Sequence, residues 1–233
     1  MSPSVQMPVF QNWMAATRPD RGINLRRKGE SLFLQGDPSD YFYVVTEGRI
    51  LFVKESPFGT PLVLERLLPG DFVAGFAVIF DFPYPAGAIS DCPSRAEGYS
   101  KARLLAAIDQ DRELRREVHT ELGERFRMYQ SRLLYANMPI EVRLSQVLVA
   151  LSGRDPDQVA LGGSHAATLS PRDSIAITRT VLAQMCLTTV ETAIRMTRLW
   201  EKAGKIDLSK KGVIRILDPV FFCDQVRGHS ARG

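Results

Sequence analysis

TRTVLAQMCLTTVETAIRMTR, residues 178–198, reads as two short helices in succession. Thr180 to Met185 makes the first, with Val181, Leu182 and Met185 at helical spacing. Thr188-Thr189-Val190-Glu191 then has the form of a helix start. A threonine at the cap and a glutamate three residues on can satisfy each other's exposed backbone donors. Ala193, Met196, Leu199 and Trp200 follow at helical spacing and predict an apolar face, while Thr189, Glu191, Thr192, Arg195 and Arg198 fall on the other. Such a pair is usually just an amphipathic core element, but it also suits the helix-turn-helix, whose second helix lies in the DNA major groove. Residue chemistry separates the two. Arginine can make two hydrogen bonds to guanine, glutamate can accept one from cytosine, and valine can pack on a thymine methyl. Arg195, Glu191 and Val190 are these three types, one turn apart at the start of the second helix.

Extended to residue 206, TRTVLAQMCLTTVETAIRMTRLWEKAGKI resembles the helix-turn-helix of the cyclic-AMP receptor protein and fumarate-nitrate regulator (Crp/Fnr) family of bacterial transcription factors. The T-V-E-T-x-x-R string of Thr189 to Arg195 is close to that of the fumarate-nitrate branch, and the resemblance runs from about Ile23 to Leu217. It implies an α+β fold: a β-roll sensor over 1–108, a dimerisation helix and hinge over 109–138, and a winged helix-turn-helix over 139–233. It implies that Arg195 reads guanine, Glu191 cytosine and Val190 a thymine methyl. It places Thr178, Arg179, Thr189 and Arg198 on phosphates, contacts that set register rather than sequence. Valine at 190, where the cyclic-AMP receptor branch has arginine, favours TTGA-like over GTGA half-sites. A homodimer on an inverted repeat follows from two-fold symmetry. RNA polymerase is the further partner the resemblance implies.

The charge distribution agrees. Residues 1–138 are balanced, so the whole net charge of +4 lies beyond residue 138, where a basic surface would attract phosphate. No apolar run reaches the ~20 residues of a membrane span. The first ten residues lack the charged flank and apolar core of a signal peptide. Cys92, Cys186 and Cys223 give neither metal spacing nor a disulfide framework, and a reducing cytoplasm is the expected location. No nucleophile–base pair, metal spacing or phosphate loop points to an enzyme.

Residues 1–22 are irregular, with at most a short helix over residues 10–16. Over 23–108, the runs 32–34, 41–46, 49–54 and 61–68 are β-rich and punctuated by glycine turns, which predicts an antiparallel barrel or jelly roll. Lys28-Gly29-Glu30, Gln35-Gly36-Asp37, Glu47-Gly48 and Pro69-Gly70-Asp71-Phe72 also resemble the spacing of the family's cyclic-nucleotide-binding roll. The ligand positions depart from it. Where nucleotide-binding members place glutamate on the ribose this chain has Gly75, and where they place arginine-serine on the phosphate it has Tyr84-Pro85. Residues 67–94 contain no Arg, Lys or His, only Asp71, Asp81 and Asp91. A phosphate needs donors or positive charge to replace its water, so cyclic AMP is not expected. The same stretch holds Phe72, Phe76, Phe80, Phe82 and Tyr84. These read either as a filled core with a rigid loop or as a pocket for an apolar or flat effector. Haem is a subclass of the second reading, with Cys92 and His119 the nearest ligands in sequence. An iron–sulfur cluster is not expected, since no cysteine precedes residue 92.

Residues 104–137 read as one long helix. Leu114, Val118, Leu122, Phe126 (or Arg125), Tyr129, Leu133 and Ala136 recur every three or four residues, which suits a two-stranded coiled coil and equally a helix packed on its own barrel. The resemblance makes it the dimer interface. Asn137-Met138-Pro139 breaks the pattern and is the expected hinge. A helix over 140–151 follows, with Val142, Leu144, Val147, Leu148 and Leu151 apolar, then a loop or loose hairpin over 152–168 around Gly153, Pro156, Gly162 and Gly163. Residues 206–208 and 213–217 predict a wing, turned at Ser209 to Gly212, whose Lys210-Lys211 either touch phosphate or are simply solvated. Residues 219–233 read as a tail. Leu187 stands in the turn between the two short helices, where the family usually has glycine. A side chain there disfavours the left-handed conformation and predicts an altered turn.

Overall fold

A computed structural model describes residues 7–55, 61–154, 156, 159 and 173–230. The chain forms two compact units, 2–127 and 128–233.

In the first unit, β1 (Arg21–Leu25), β2 (Ser31–Phe33), β3 (Tyr41–Glu47), β4 (Ile50–Lys54), β5 (Leu62–Leu67), β6 (Phe72–Val73), β7 (Gly87–Ser90) and β8 (Ser94–Ser100) form two four-stranded sheets, ordered β1-β8-β3-β6 and β2-β7-β4-β5. Every pairing is antiparallel. Side chains alternate across a strand, and β3 shows the consequence. Tyr43 and Val45 point between the sheets with Leu25, Phe33, Ile50, Phe52, Leu67 and Ala88. Phe42 and Val44 point the other way, to a second core built with helices. That core takes Phe10 from α1 (Pro8–Ala16), Leu104 and Ile108 from α3 (Lys101–Gln110), and Leu114, Val118 and Leu122 from α4 (Arg112–Ala136). The helix expected to start near Phe10 starts instead at Pro8, and the Glu117 carboxylate accepts hydrogen bonds from the Val9 and Phe10 amides (3.1 and 2.9 Å). A six-residue helix, α2 (Gly75–Phe80), lies between β6 and β7.

The expected single helix over 104–137 is two helices. Asp111 is extended between α3 and α4, and its carboxylate caps α4 by accepting from the Glu113 and Leu114 amides (2.9 and 3.0 Å).

The second unit holds α5 (Ile140–Leu151), β9 (Ser174–Ala176), α6 (Arg179–Met185), α7 (Val190–Lys202), β10 (Ile206–Asp207), β11 (Val213–Ile216) and α8 (Pro219–Ser230). β10-β11-β9 form an antiparallel sheet, with Gly212 at positive φ in the β10–β11 turn, as the wing reading expects. Val142, Leu144, Val147, Leu148 and Leu151 are all buried on α5. Most of the loop read over 152–168 lies outside the described residues. The tail reading needs correction. Residues 219–230 are helical, with Asp218 accepting from the Phe221 amide at 3.0 Å. Phe222, Cys223 and Val226 are fully buried, and Phe222 meets Trp200 edge-on at 5.0 Å.

Candidate nucleic-acid interface

Two threonines set the boundaries of the helix-turn-helix. Thr178 accepts from the Val181 amide (3.2 Å) at the start of α6, and Thr189 accepts from the Thr192 amide (3.2 Å) at the start of α7. The capping box read from Thr188 to Glu191 does not form. The cap is Thr189, and the residue three on is Thr192, whose hydroxyl lies 3.1 Å from that of Thr189. Glu191 is thereby left exposed in the first turn.

α7 buries Ala193, Met196, Thr197 and Trp200. Thr197 takes the place expected for Leu199, which is 52% exposed. Its hydroxyl is satisfied internally, donating to the carbonyls of Ala193 (2.8 Å) and Ile194 (3.1 Å). The opposite side presents Glu191, Arg195 and Arg198, all exposed, with Val190 half-buried at the helix start. Thr189 is exposed, and Thr178 and Arg179 are half-buried at the start of α6. Among the described residues, Arg179, Glu191, Arg195 and Arg198 enter no ion pair.

The turn itself keeps the left-handed geometry. Leu187 has φ 52, and the Thr188 amide donates to the Ala183 carbonyl at 3.0 Å, closing α6 as a Schellman cap. Leucine holds this conformation at a cost of about 1–2 kcal/mol where glycine would adopt it freely. The expectation of an altered turn is therefore corrected at the level of backbone sign: the left-handed residue is retained.

The five aromatic residues of the candidate effector pocket do not come together. Phe72 is buried in the helix-side core and Phe76 packs partly against it. Tyr84 is buried between the sheets, stacked on Phe33 at 3.8 Å, with its hydroxyl donating to the Tyr41 carbonyl. Phe80 and Phe82 are exposed. Two left-handed residues, Ala74 (φ 70) and Asp81 (φ 56), flank α2 and redirect the chain at both ends of this stretch. A Cβ at Gly75 would stand 2.0 Å from the Phe72 ring, so the ribose-glutamate position has no room for a side chain unless Phe72 moves. The three acids of the stretch are engaged. Asp91 binds Lys28 and Arg49, both at 3.0 Å; Asp81 binds Lys101; Asp71 accepts from the Leu68 amide at 2.8 Å. Burial works against the Asp91 carboxylate, but hydrogen bonds from Lys28 and Arg49 outweigh it and hold its pKa below the usual carboxylate range. As for haem ligands, His119 is exposed on α4, and the Cys92 thiol lies 4.0 Å from the Ser94 hydroxyl in the β7–β8 turn. Neither belongs to the cluster between the sheets.

α4 divides its stripe in two. Val118 and Leu122 are buried in the protein's own core. At the next position Arg125 points inward and Phe126 outward, 58% exposed, which resolves the alternative left open by spacing. Tyr129 is half-buried, and Leu133 and Leu134 are 73% and 63% exposed. Asn137 and Pro139 are both exposed between α4 and α5, and the Pro139 carbonyl accepts from the Val142 and Arg143 amides.

The β-roll is followed in the chain by a winged helix-turn-helix, the element by which DNA-binding regulators enter the major groove. Residues 26–111 match the cyclic nucleotide-binding domain family, and residues 142–220 match the Crp-like helix-turn-helix domain family. The two matches together cover more than half the chain, and the protein belongs to the Crp/Fnr family of transcription regulators. FixK2 from Bradyrhizobium japonicum is similar in structure, with a TM-score of 0.72 at 16% identity over 88% of this chain and 96% of that one. A CRP/FNR-family transcriptional regulator from Thermus thermophilus gives a TM-score of 0.60 at 21% identity, over 89% and 98% of the two chains. At these identities the likeness is one of fold. The cAMP-dependent protein kinase regulatory subunit of Dictyostelium discoideum is 34% identical over 104 residues, 40% of this chain. The chain spans less than a third of the length of the curated relatives it matches, 29% in that case. Among the described residues no helix is long and apolar enough to cross a membrane.

Proposed function

We propose that this regulator acts as a homodimer on an inverted repeat of TTGA-like half-sites, with Arg195 reading guanine, Glu191 cytosine and Val190 a thymine methyl. The observation that carries the reading is the exposed, ion-pair-free Arg195 and Glu191, one turn apart near the start of α7, behind which Ala193, Met196 and Trp200 are already buried. Thr178, Arg179, Thr189 and Arg198 take phosphates. The Thr178 hydroxyl accepts at its cap, so its proton remains to donate to an anion. Dimerisation uses Phe126, Leu133 and Leu134, since large apolar groups exposed along one helix are what a second helix covers. RNA polymerase is the further partner.

The β-roll controls the assembly through a signal that is not cyclic AMP. Gly75, Tyr84 and Pro85 supply neither a ribose acceptor nor a phosphate donor side chain. Of the cations around this stretch, Lys28, Arg49 and Lys101 are taken by carboxylates, Lys54 donates to the Pro85 carbonyl and Arg21 lies over the Tyr41 ring. The signal shifts the paired helices, and the hinge at Asn137 to Pro139 repositions α7 relative to successive major grooves. A second reading is a constitutive binder without ligand. It is favoured by Tyr84, whose ring fills the space between the sheets against Phe33.

Duplexes selected by the full-length protein from a random pool test the proposal. Inverted TTGA repeats should be enriched, and Arg195→Ala should weaken binding by about 1–3 kcal/mol per subunit and relax the guanine position. Equal affinity of wild type and Arg195→Ala would remove the base-reading assignment. Tight, specific binding by protein purified without additive would favour the constitutive reading over the sensor.

A further inference from the structure

The left-handed turn at Leu187 is held from outside. Arg143, on α5, places Nη1 3.0 Å from the Cys186 carbonyl and 3.2 Å from the Leu187 carbonyl, donating to both. These oxygens close the C-terminal end of α6, where unpaired carbonyls carry partial negative charge and a cation is favoured. The bond is reciprocated by the Cys186 thiol, which donates to the Arg143 carbonyl at 3.7 Å. Burial pushes that thiol's pKa up to about 12, so it remains a neutral donor. The guanidinium Nε is buried and has no hydrogen-bond partner among the described residues.

Two residues separate Leu187 from α7, and one of them, Thr189, is its cap. The direction in which the chain leaves Leu187 therefore sets where α7 begins. Glycine at 187 would enter the left-handed region unaided, whereas leucine needs its φ enforced.

We propose that Arg143 is a positioning residue for DNA recognition: by clamping the Cys186 and Leu187 carbonyls it holds a non-glycine turn left-handed and so aims α7. The inference rests on α7 being the DNA-reading helix.

The test is a double-mutant cycle in the full-length protein, using fluorescence anisotropy on the duplex that wild type enriches from a random pool. Arg143→Met should weaken binding about tenfold or more with the dimer and the salt slope unchanged. Leu187→Gly alone should stay within about twofold, and Arg143→Met in the Leu187→Gly background should cost at most about threefold, as expected for directly coupled residues. An equal penalty in both backgrounds, or no penalty in either, overturns the proposal. So does a salt slope reduced by about one, which would make Arg143 a phosphate contact. Should Arg143→Met fail to fold, Arg143→Lys keeps the cation and the stem with a single point donor. A loss again relieved by Leu187→Gly supports the clamp, and an unrelieved loss rejects it. Failure of the DNA reading itself appears earlier and separately, as wild type that enriches no duplex.

Discussion

Arg125 in the β-roll unit and Arg195 in the helix-turn-helix unit both project from amphipathic helices, yet their surroundings differ at every atom. Arg125 is 7% exposed. Its Nε donates to Glu121 (2.9 Å), Nη1 to Glu65 (2.8 Å) and Nη2 to the Phe72 carbonyl (2.8 Å), and its guanidinium stands 5.0 Å from the centre of the Phe72 ring. Arg195 is exposed and enters no ion pair among the described residues. One arginine ties α4 to β5 and β6. The other holds its donors in water, where a base edge can replace the solvent. Burial with satisfied donors makes Arg125 an arginine of the fold, and exposure without an ion pair leaves the donors of Arg195 available, which the proposed base reading requires.

The comparison can be broken most severely at Arg125. Arg125→Met leaves Glu65 and Glu121 buried without their shared cation, and should destabilise the protein by about 3–5 kcal/mol in urea or thermal unfolding. A loss under about 1 kcal/mol would mean the cluster is solvated and the contrast false. Arg195→Ala should do the reverse. Its unfolding free energy should stay within about 0.5 kcal/mol of wild type while DNA affinity falls. A large fall in its melting temperature would reclassify Arg195 as a residue of the fold.

The smallest effect is expected at Glu121. Burial raises its pKa, with the Arg125 guanidinium opposing the rise and Glu65 and Asp71 adding to it, and Glu121 Oε2 has no hydrogen-bond partner among the described residues. A carboxyl that binds its proton more tightly when folded contributes stability that is full below the ordinary glutamate value. That contribution is lost as pH rises through the folded value. Glu121→Gln keeps the acceptor for Arg125 and removes the titration. Its stability relative to wild type should therefore improve as pH rises above the ordinary carboxylate range, within about 1 kcal/mol at neutral pH. Parallel stability–pH curves for the two proteins would place Glu121 in contact with water.

Local chemistry made much of the second unit legible. Thr178 and Thr189 cap their helices because a hydroxyl before a helix satisfies its first amides within three residues, yet spacing alone set the second cap one residue early, at Thr188, and started the first helix at Thr180. Pro139 ends one helix and begins another for reasons internal to its ring. Gly212 turns the wing because positive φ costs it little. The miss at α8 had a readable signal: Asp218 before Pro219, then Phe222, Cys223 and Val226 at helical spacing. The break at Asp111 was readable too, but the apolar spacing on either side hides it.

The aromatic stretch was not legible in the same way. Five rings between residues 72 and 84 look like one pocket, but Ala74 and Asp81 adopt left-handed backbone with no glycine to advertise it. Their turns send Phe72 to one core, Tyr84 to the other, and Phe80 and Phe82 to solvent. The exchange of Leu199 for Thr197 on α7 has a similar cause. The spacing fits both, and the choice depends on the surface the helix meets and on Thr197 satisfying its hydroxyl within the helix.

The sequence by itself determined what depends on neighbours a few residues apart: helix starts and stops, glycine turns, the alternation that makes a roll, and the chemistry offered by Val190, Glu191 and Arg195. Only the tertiary structure decided which polar and aromatic side chains were consumed internally. Arg125 was spent on Glu65 and Glu121, Tyr84 on Phe33, and Arg143 on the carbonyls beside Leu187. Glu65 lies 60 residues from Arg125 along the chain, and the Cys186 carbonyl 43 residues from Arg143. Burial and hydrogen-bond satisfaction are set by distance in space, which local spacing does not encode.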